Sequence, residues 1–587
     1  MKVAACALNQ TPLDWDGNLR RMLAAIEKGR EEGAELLLFP ELCISGYGCE
    51  DYFLMPWVFE KAKEVLLSSI APASRGLFIA AGIPWMHHGK AYNCLALCKD
   101  GQLAGIYAKQ ILANEGVFYE NRWFHSWKGN HTEVVHGFPG LPFGDFLLEY
   151  KGMKIGFEIC EDGWHPDERP AVTGAARQAE LLLNASASNF ARGKMADRHR
   201  VIESLAGRHQ GWYLYANLLG NESGSLIFDG ELMLGKAGKV LSSSAVLRMD
   251  EWLLHCYELR EDHAWPGPLP AADVFEEFTA AASLGLKDYL RKSGSRGFAL
   301  SLSGGADSAT CAVLVKEMYR RGLQQLGEKE FFRQLGFETG IESLLCCVYQ
   351  ATRQSGEITL NAAKCLAEAL GGEFHIWDVS ALVDGYKELT EKSLGRSLSW
   401  ETDDLSLQNI QARTRAPGIW MLANTRNHLL LTTGNRSEAD VGYCTMDGDT
   451  AGSLAPLAGV SKHFIRQWLE WARDILGIPE LDLIIHQEPT AELRPGKQTD
   501  EGDLMPYELL EKIEVLFLQE KLSREEILSR LLAKVSEDRA WLEACTEKFF
   551  RLWKRNQWKR ERLAPSFHLD RFNIQPRSMG RFPVFCG

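Results

Sequence analysis

The stretch EDHAWPGPLPAAD, residues 261–273, restricts the fold of this chain more than any other segment, because it carries prolines at 266, 268 and 270. Each proline lacks a backbone N–H and fixes φ, so neither a helix interior nor a central strand passes through it. It reads as a linker inside a chain of 587 residues, far beyond the roughly 150 residues that one core serves. Two large domains follow, residues 1–262 and 273–587. A composition of 45% hydrophobic and 24% charged residues supplies a core for each and excludes a disordered, collagen-like or coiled-coil chain.

The balance of 65 Lys+Arg against 78 Asp+Glu, net -13, argues against a general affinity for nucleic acid or anionic membranes. No apolar run approaches the roughly 18 residues that span a bilayer. The N-terminus MKVAACALNQTPLDW meets Gln10 and Pro12 too soon for a signal peptide and reads as a first β-strand. Fourteen cysteines without a C-x-x-C pair are neither a zinc framework nor a secreted disulfide scaffold, so a reducing cytosol is expected.

Short apolar runs and amphipathic helices alternate through the first half. Lys99-Asp100-Gly101 joins two alternating runs as a hairpin, since Asp-Gly accepts positive φ. Many strands with few helices between them predict sheets packed face to face under helical layers. In the second half, FALSLS, a Gly-rich turn, ESLLCCVYQ and EFHIWDVS alternate with helices, which predicts a parallel, doubly wound sheet. The last 70 or so residues are helical. Their basic run Arg551, Lys554, Arg555, Lys559, Arg560 and Arg562 reads as a solvated or subunit-contacting face.

Three residues sit at the edges of expected strands in apolar settings: Glu41 in LLLFPELCISGY, Lys109 in GIYAKQILANEGVFYENRWF and Cys160 in KIGFEICEDGW. Each alone has an ordinary explanation as a surface carboxylate, a strand-end cation or a buried thiol. Together they supply a nucleophile, a proton acceptor and a cation, which is what attack on an amide needs. These segments resemble the three signatures of the nitrilase, or carbon-nitrogen hydrolase, superfamily. The resemblance implies an αββα sandwich with Glu41 as general base, Lys109 as orienting cation and Cys160 as nucleophile, and Glu120 matches an additional glutamate of that family. It further implies that Ser186 and Arg192 hold glutamine, with Glu115 standing where many glutaminase members carry a tyrosine.

The turn Ser303-Gly304-Gly305-Ala306-Asp307-Ser308 lies between a strand and a helix, where inward N–H groups and a helix N-terminus make an anion cradle. The Walker spacing and its lysine are absent. A carboxylate beside a phosphate cradle is costly unless a cation joins them. SGGADS resembles the loop of N-type ATP pyrophosphatases, and QNIQARTR, GNRSEADVGYCT and EPTAEL resemble the NAD synthetase family in order and spacing. The resemblance implies an adenine nucleotide α-hydrolase type of sheet, Asp307 and Glu438 as Mg²⁺ ligands, ATP contacts at Ser303 to Ser308, Thr433, Lys462 and Thr490, and deamido-NAD contacts at Arg413 and Glu438. Met446 and Ser453 replace a lysine and an aspartate of ammonia-dependent members. GNRSE also reads as a helix start capped by Ser437.

An amidase half followed by a synthetase half is similar to the glutamine-dependent members of that family. Expected substrates are glutamine, deamido-NAD and ATP, with Mg²⁺ as cofactor, in a cytoplasmic homo-oligomer without nucleic-acid or membrane partners. Another glutamine-dependent ATP-pyrophosphatase amidotransferase, or an ammonia-only synthetase with a structural amidase half, is the alternative.

Overall fold

A computed structural model describes residues 1–587 except 271, 488–491, 496–498, 576–577, 579–580 and 585–587. The chain divides into two compact units, Met1–Gly285 and Leu286–Gly587. No described helix is long and apolar enough to cross a membrane.

Unit 1 holds an eight-stranded and a six-stranded sheet. In the first, Lys2–Leu8 lies between antiparallel Trp252–Glu258 and parallel Leu36–Leu38. Its residues from Val3 to Leu8 are all buried, as an unbroken apolar run requires when both faces are covered. One cover is the helix Trp15–Glu31, and the other is the Trp212–Asn217 strand of the second sheet. Helix Lys194–Glu203 packs on the second sheet in turn, completing the αββα sandwich. The hairpin between Lys90–Lys99 and Gln102–Ala108 turns at Asp100 and Gly101 with φ of 54° and 83°. Four strands, Leu36–Leu38, Gln102–Ala108, Met153–Ile159 and Leu181–Ser186, lead directly from their C-terminal ends into Glu41, Lys109, Cys160 and Ala187.

The proline-rich stretch is stitched to the second sheet: the Gly267 N–H donates to Leu241 O (3.0 Å) and the Leu269 N–H to Ser243 Oγ (2.8 Å). Beneath the sandwich, Arg169 forks onto Glu158 through Nε to Oε1 (3.0 Å) and Nη2 to Oε2 (2.6 Å), both side chains fully buried. Arg169 Nη1 also donates to Val201 O (2.6 Å), joining a strand to an outer helix.

Unit 2 is built on four parallel strands in the order Glu373–Asp378, Leu345–Ala351, Gly297–Ser301, His428–Leu431. The chain winds outward from Gly297–Ser301 in one direction and then returns to add His428–Leu431 on its other side. Loops beyond the C-terminal ends of those two neighbours therefore diverge, and such a switch point is where doubly wound sheets bind ligands.

In the basic run Arg551, Lys554, Arg555 and Arg562 are exposed, whereas Lys559 and Arg560 turn inward. Lys559 Nζ donates to Gly442 O and Cys444 O, both at 2.8 Å. Arg560 is 2% exposed, lies 3.8 Å from the Trp553 ring centroid and donates to Asp440 O (2.5 Å). Their long stems cover apolar surface while their heads satisfy carbonyls at a helix end. The helix Arg436–Val441 is capped by Asn435, whose side chain accepts from the Glu438 N–H, and not by Ser437.

Breaking a buried ion pair leaves an uncompensated charge. Arg169→Met is expected to destabilise the protein by about 3–5 kcal/mol, read from equilibrium urea unfolding. A loss below about 1 kcal/mol would mean that water or another cation reaches Glu158.

Candidate active sites

Glu41 is fully buried and each of its oxygens is engaged. Oε1 accepts from Asn93 Nδ2 (2.6 Å) and Lys109 Nζ (2.7 Å), and Oε2 from the Ala187 N–H (2.9 Å). Gly82 lies directly behind: a Cβ there would stand 2.1 Å from Leu42 N, so only glycine lets the two backbones approach. Lys109 also donates to Glu120 Oε1 (2.9 Å), and Glu120 accepts from Tyr47 Oη (2.8 Å) and the Ala113 N–H (3.2 Å). Burial pushes the Glu41 carboxyl up to about 7; Lys109 opposes this and Glu120 adds to it. Burial pulls Lys109 down, yet the two glutamates outweigh it and raise the ammonium well above its usual value.

Cys160 opens the short 3₁₀ turn Cys160–Trp164 with φ of 42°, a left-handed conformation that costs about 1–3 kcal/mol in a non-glycine residue. Burial and then Glu41 push its thiol far up, while Lys109 pulls it down. The resting group is thus a neutral thiol under the influence of an adjacent base. Asp162, which the sequence reading passed over, holds the turn: it accepts from the Ile159, Gln110 and Ile111 N–H groups (2.9, 3.0 and 2.7 Å) and from Tyr107 Oη (3.0 Å). One carboxylate thereby ties the Cys160 turn to the strand end that carries Lys109.

Ser186 ends the strand whose next N–H reaches Glu41, and its Oγ donates to Asn184 Oδ1 (2.7 Å). Arg192 is partly buried and acts electrostatically on Glu277. Glu115 is exposed. A second cation was missed: Lys194 donates to Asn189 Oδ1 (2.6 Å) and its ammonium lies 5.8 and 5.7 Å from the Phe118 and Trp164 rings. Burial and Arg198 pull it down to about 8, and Cys160 acts in the opposite direction, which sets it electrostatically beside the thiol.

In unit 2 the Ser303–Ser308 turn follows the Gly297–Ser301 strand and feeds the helix Ala306–Leu326. Gly304 has φ of 82°, and a Cβ on it would lie 2.2 Å from Thr359 O. Ser308 Oγ donates to Gly305 O (3.1 Å) and accepts from the Ser303 N–H (3.2 Å), setting the loop's shape. A cavity opens here, lined by this turn, Thr433, Glu438 and Lys462. Lys462 Nζ donates to Asp307 Oδ2 (2.6 Å) and Glu438 Oε1 (3.1 Å), and Asn435 Nδ2 to Asp307 Oδ2 (3.3 Å). Burial lifts Glu438 to about 8, with Lys462 opposing and Asp307 and Asp500 reinforcing.

Asp307 Oδ1 is buried with no partner. An orphaned carboxylate oxygen, with Glu438 and Asp500 close enough to act on one another, is a donor set suited to a hard divalent cation. Arg413 is exposed, its Nε donating to Met446 O (3.0 Å). Arg415, two residues on, lines the cavity instead, with Nε buried and unpartnered. Ser453 is spent on the Leu430 backbone, donating its N–H to Leu430 O (2.7 Å) and accepting the Leu430 N–H on Oγ (3.3 Å). Thr490 lies outside the described residues.

Residues 2–243 match the carbon-nitrogen hydrolase family model, and residues 278–562 match that of NAD synthase. The chain is 31% identical to a glutamine-dependent NAD(+) synthetase of Aquifex aeolicus, over 91% of this chain and 92% of that one. It is 27% identical to the one from Homo sapiens, over 98% and 94%. A crystal structure of a glutamine-dependent NAD(+) synthetase from Cytophaga hutchinsonii superposes with a TM-score of 0.88 at 42% identity, covering 100% of this chain and 98% of that one.

With Glu41 raised by burial and by Glu120, its carboxyl should titrate near neutrality in a carbon-13 NMR titration referenced to Glu41→Gln. Glu120→Gln removes a neighbouring negative charge, so the midpoint should move to lower pH. An upward shift would contradict the charge assignment.

Proposed function

The chain belongs to the glutamine-dependent NAD(+) synthetase family, and we propose that it hydrolyses glutamine in unit 1 and uses the ammonia, with ATP, to amidate deamido-NAD in unit 2. The products are glutamate, NAD, AMP and pyrophosphate. The carrying observation is the Glu41–Lys109–Glu120 cluster beside Cys160: a chain whose amidase half served structure alone would have no reason to bury three charges there.

In the first reaction Cys160 Sγ forms a bond to the glutamine carboxamide carbon as Glu41 takes the thiol proton. The C–N bond then breaks and Glu41 returns that proton to the departing ammonia. Water adds to the thioester, releasing glutamate and restoring the thiol. Lys109 keeps its charge throughout and steadies both Glu41 and the developing oxyanion. Ser186, Arg192 and Glu115 are the proposed glutamine contacts, and we add Lys194 because its ammonium acts on the same thiol.

In the second reaction the nicotinate carboxylate attacks the α-phosphorus of ATP and pyrophosphate leaves; ammonia then attacks the acyl carbon and displaces AMP. The amides of Ser303 to Ser308 would cradle the leaving pyrophosphate at the helix N-terminus, with Thr433 and Thr490 as further ATP contacts. Asp307 and Glu438 would hold Mg²⁺, which supplies charge neutralisation for the phosphates. Lys462, freed from those carboxylates, would turn its ammonium toward the same oxygens. Arg413 and Glu438 are the proposed deamido-NAD contacts, and Arg415, whose Nε is buried, is a further cation on the cavity wall.

The described cysteines are all free, which suits a nucleophilic thiol in a reducing cytoplasm. A homo-oligomer is supported by the helix Ser380–Leu394, which buries none of its residues. Leu389 on it, and Leu405 and Met421 on different faces of the helix Asp404–Arg426, are 66%, 68% and 70% exposed, large apolar side chains of the kind that partner-facing surfaces carry.

Cys160→Ala should abolish glutamine-driven NAD formation by about a thousandfold or more and leave ammonia-driven formation within about twofold. Glutamine-driven synthesis that persists would refute the nucleophile. Asp307→Asn should suppress both. In light scattering, Leu389→Asp with Met421→Asp should convert the oligomer to monomer, and an unchanged mass would remove that surface as the interface.

A further inference from the structure

Four histidines and a glutamate meet at one end of the first sheet of unit 1, and neither reaction above uses them. His87 ends the strand Phe78–His87, and His88 follows in a turn with φ of 47°. Glu133 lies in Thr132–Val134, a strand at the edge of the sheet, with His131 just before that strand and His136 just after. His87 Nε2 stands 2.9 Å from Glu133 Oε2, His88 Nε2 3.7 Å from the same oxygen, and His131 Nε2 3.5 Å from Oε1. The His88 and His136 rings are 5.3 Å apart.

Ligand atoms of His87, His88 and Glu133 all lie within 4.8 Å of one another. Metal–ligand bonds of about 2.0–2.2 Å in tetrahedral array put neighbouring donor atoms roughly 3.3–3.6 Å apart. The three histidine-to-Glu133 separations, 2.9, 3.7 and 3.5 Å, bracket that spacing. His87 is held for the purpose: it is 2% exposed, its ring is stacked 3.9 Å from Phe143 at 16°, and Trp127 packs edge-on at 6.3 Å. A ring so packed keeps its Nε2 aimed at Glu133, and its Nδ1 is buried with no partner. Burial lowers the His87 pKa, as do His88 and His136, against the pull of Glu133.

We propose that His87, His88 and Glu133, with His131 as the fourth ligand, form a binding site for a borderline divalent transition metal ion of the zinc class. Imidazole donors with one carboxylate suit zinc, cobalt or nickel and disfavour magnesium or calcium. The ion replaces the His87–Glu133 hydrogen bond and clips the edge strand Thr132–Val134 to the end of Phe78–His87, so its contribution is to stability and not to either reaction. A second trio, Cys346, Glu373 and His375, lies in unit 2. There the Arg426 guanidinium already occupies Glu373, which leaves that carboxylate a poorer donor.

The test uses the full chain stripped with chelator, titrated with zinc by calorimetry and by thermal unfolding, and then with cobalt by absorption. The expected result is one zinc per chain, a raised Tm, and cobalt d–d bands without a thiolate charge-transfer band. Replacing His88 and His131, 61% and 51% exposed in their side chains, by alanine should weaken zinc binding by at least about tenfold and remove the Tm rise. Unaltered binding in that variant, a thiolate band that moves the ion to Cys346 or Cys160, or no uptake by the parent chain would each overturn the assignment.

Discussion

A buried ammonium held between two carboxylates occurs in both units, and one positive charge against two negative ones sets how each site behaves. Lys109 bridges Glu41 and Glu120, and Lys462 bridges Asp307 and Glu438. Taking such ions out of water costs several kcal/mol apiece, so each cluster persists only where rigid neighbours complete the hydrogen bonds. In unit 1 that work falls to Asn93, Tyr47 and the N–H groups of Ala113 and Ala187. There every carboxylate oxygen described is engaged and the surplus negative charge is expressed as proton affinity at Glu41. In unit 2 one oxygen of Asp307 is left bare, and the surplus is available to a cation.

The residues that carry chemistry were legible because they stand where strands end: Glu41, Lys109 and Cys160 each interrupt an apolar run, and a titratable group at such a boundary needs a reason. What holds them was not legible. Asn93 reaches Glu41 across 52 residues and Asp162 reaches Ile111 across 51; a buried polar residue in a strand or turn carries no local mark of the partner it will meet. Lys194 escaped notice beside Arg192 because a basic pair near a helix start looks the same whichever member turns inward. The same ambiguity separates Arg413 from Arg415, two positions apart on a helix and so on different faces. The basic tail divides: Arg551, Lys554, Arg555 and Arg562 are exposed, as a solvated face requires, while the amphipathic stems of Lys559 and Arg560 let them close over a helix end.

Topology explains why both sites lie at the ends of parallel strands. Loops leaving the C-terminal ends of adjacent parallel strands are the positions where backbone N–H groups and helix N-termini face a common crevice. In unit 2, the loops after Gly297–Ser301 and His428–Leu431 supply Asp307 and Thr433 to one cavity. In unit 1, strand ends from two packed sheets bring Glu41, Lys109, Cys160 and Ala187 together, all of them buried. Gly82 and Gly304 mark the price of that closeness, since neither position has space for a single added carbon.

The order of proton movement in unit 1 follows from the same burial. Lys109 is pushed upward by its two glutamates and cannot release a proton near neutrality. The Cys160 thiol is also pushed upward and cannot lose one unaided. Of these three Glu41 is brought to about 7, so it can both hold and return a proton near neutrality, and because burial disfavours a free thiolate the thiol proton moves to it only as the bond from sulfur to the amide carbon forms. A nucleophile that stays protonated until an amide carbon is within reach is protected from oxidation and from stray electrophiles, because the thiolate is the reactive form. The left-handed turn at Cys160, fixed by Asp162, then decides where that thiolate points at the moment it forms.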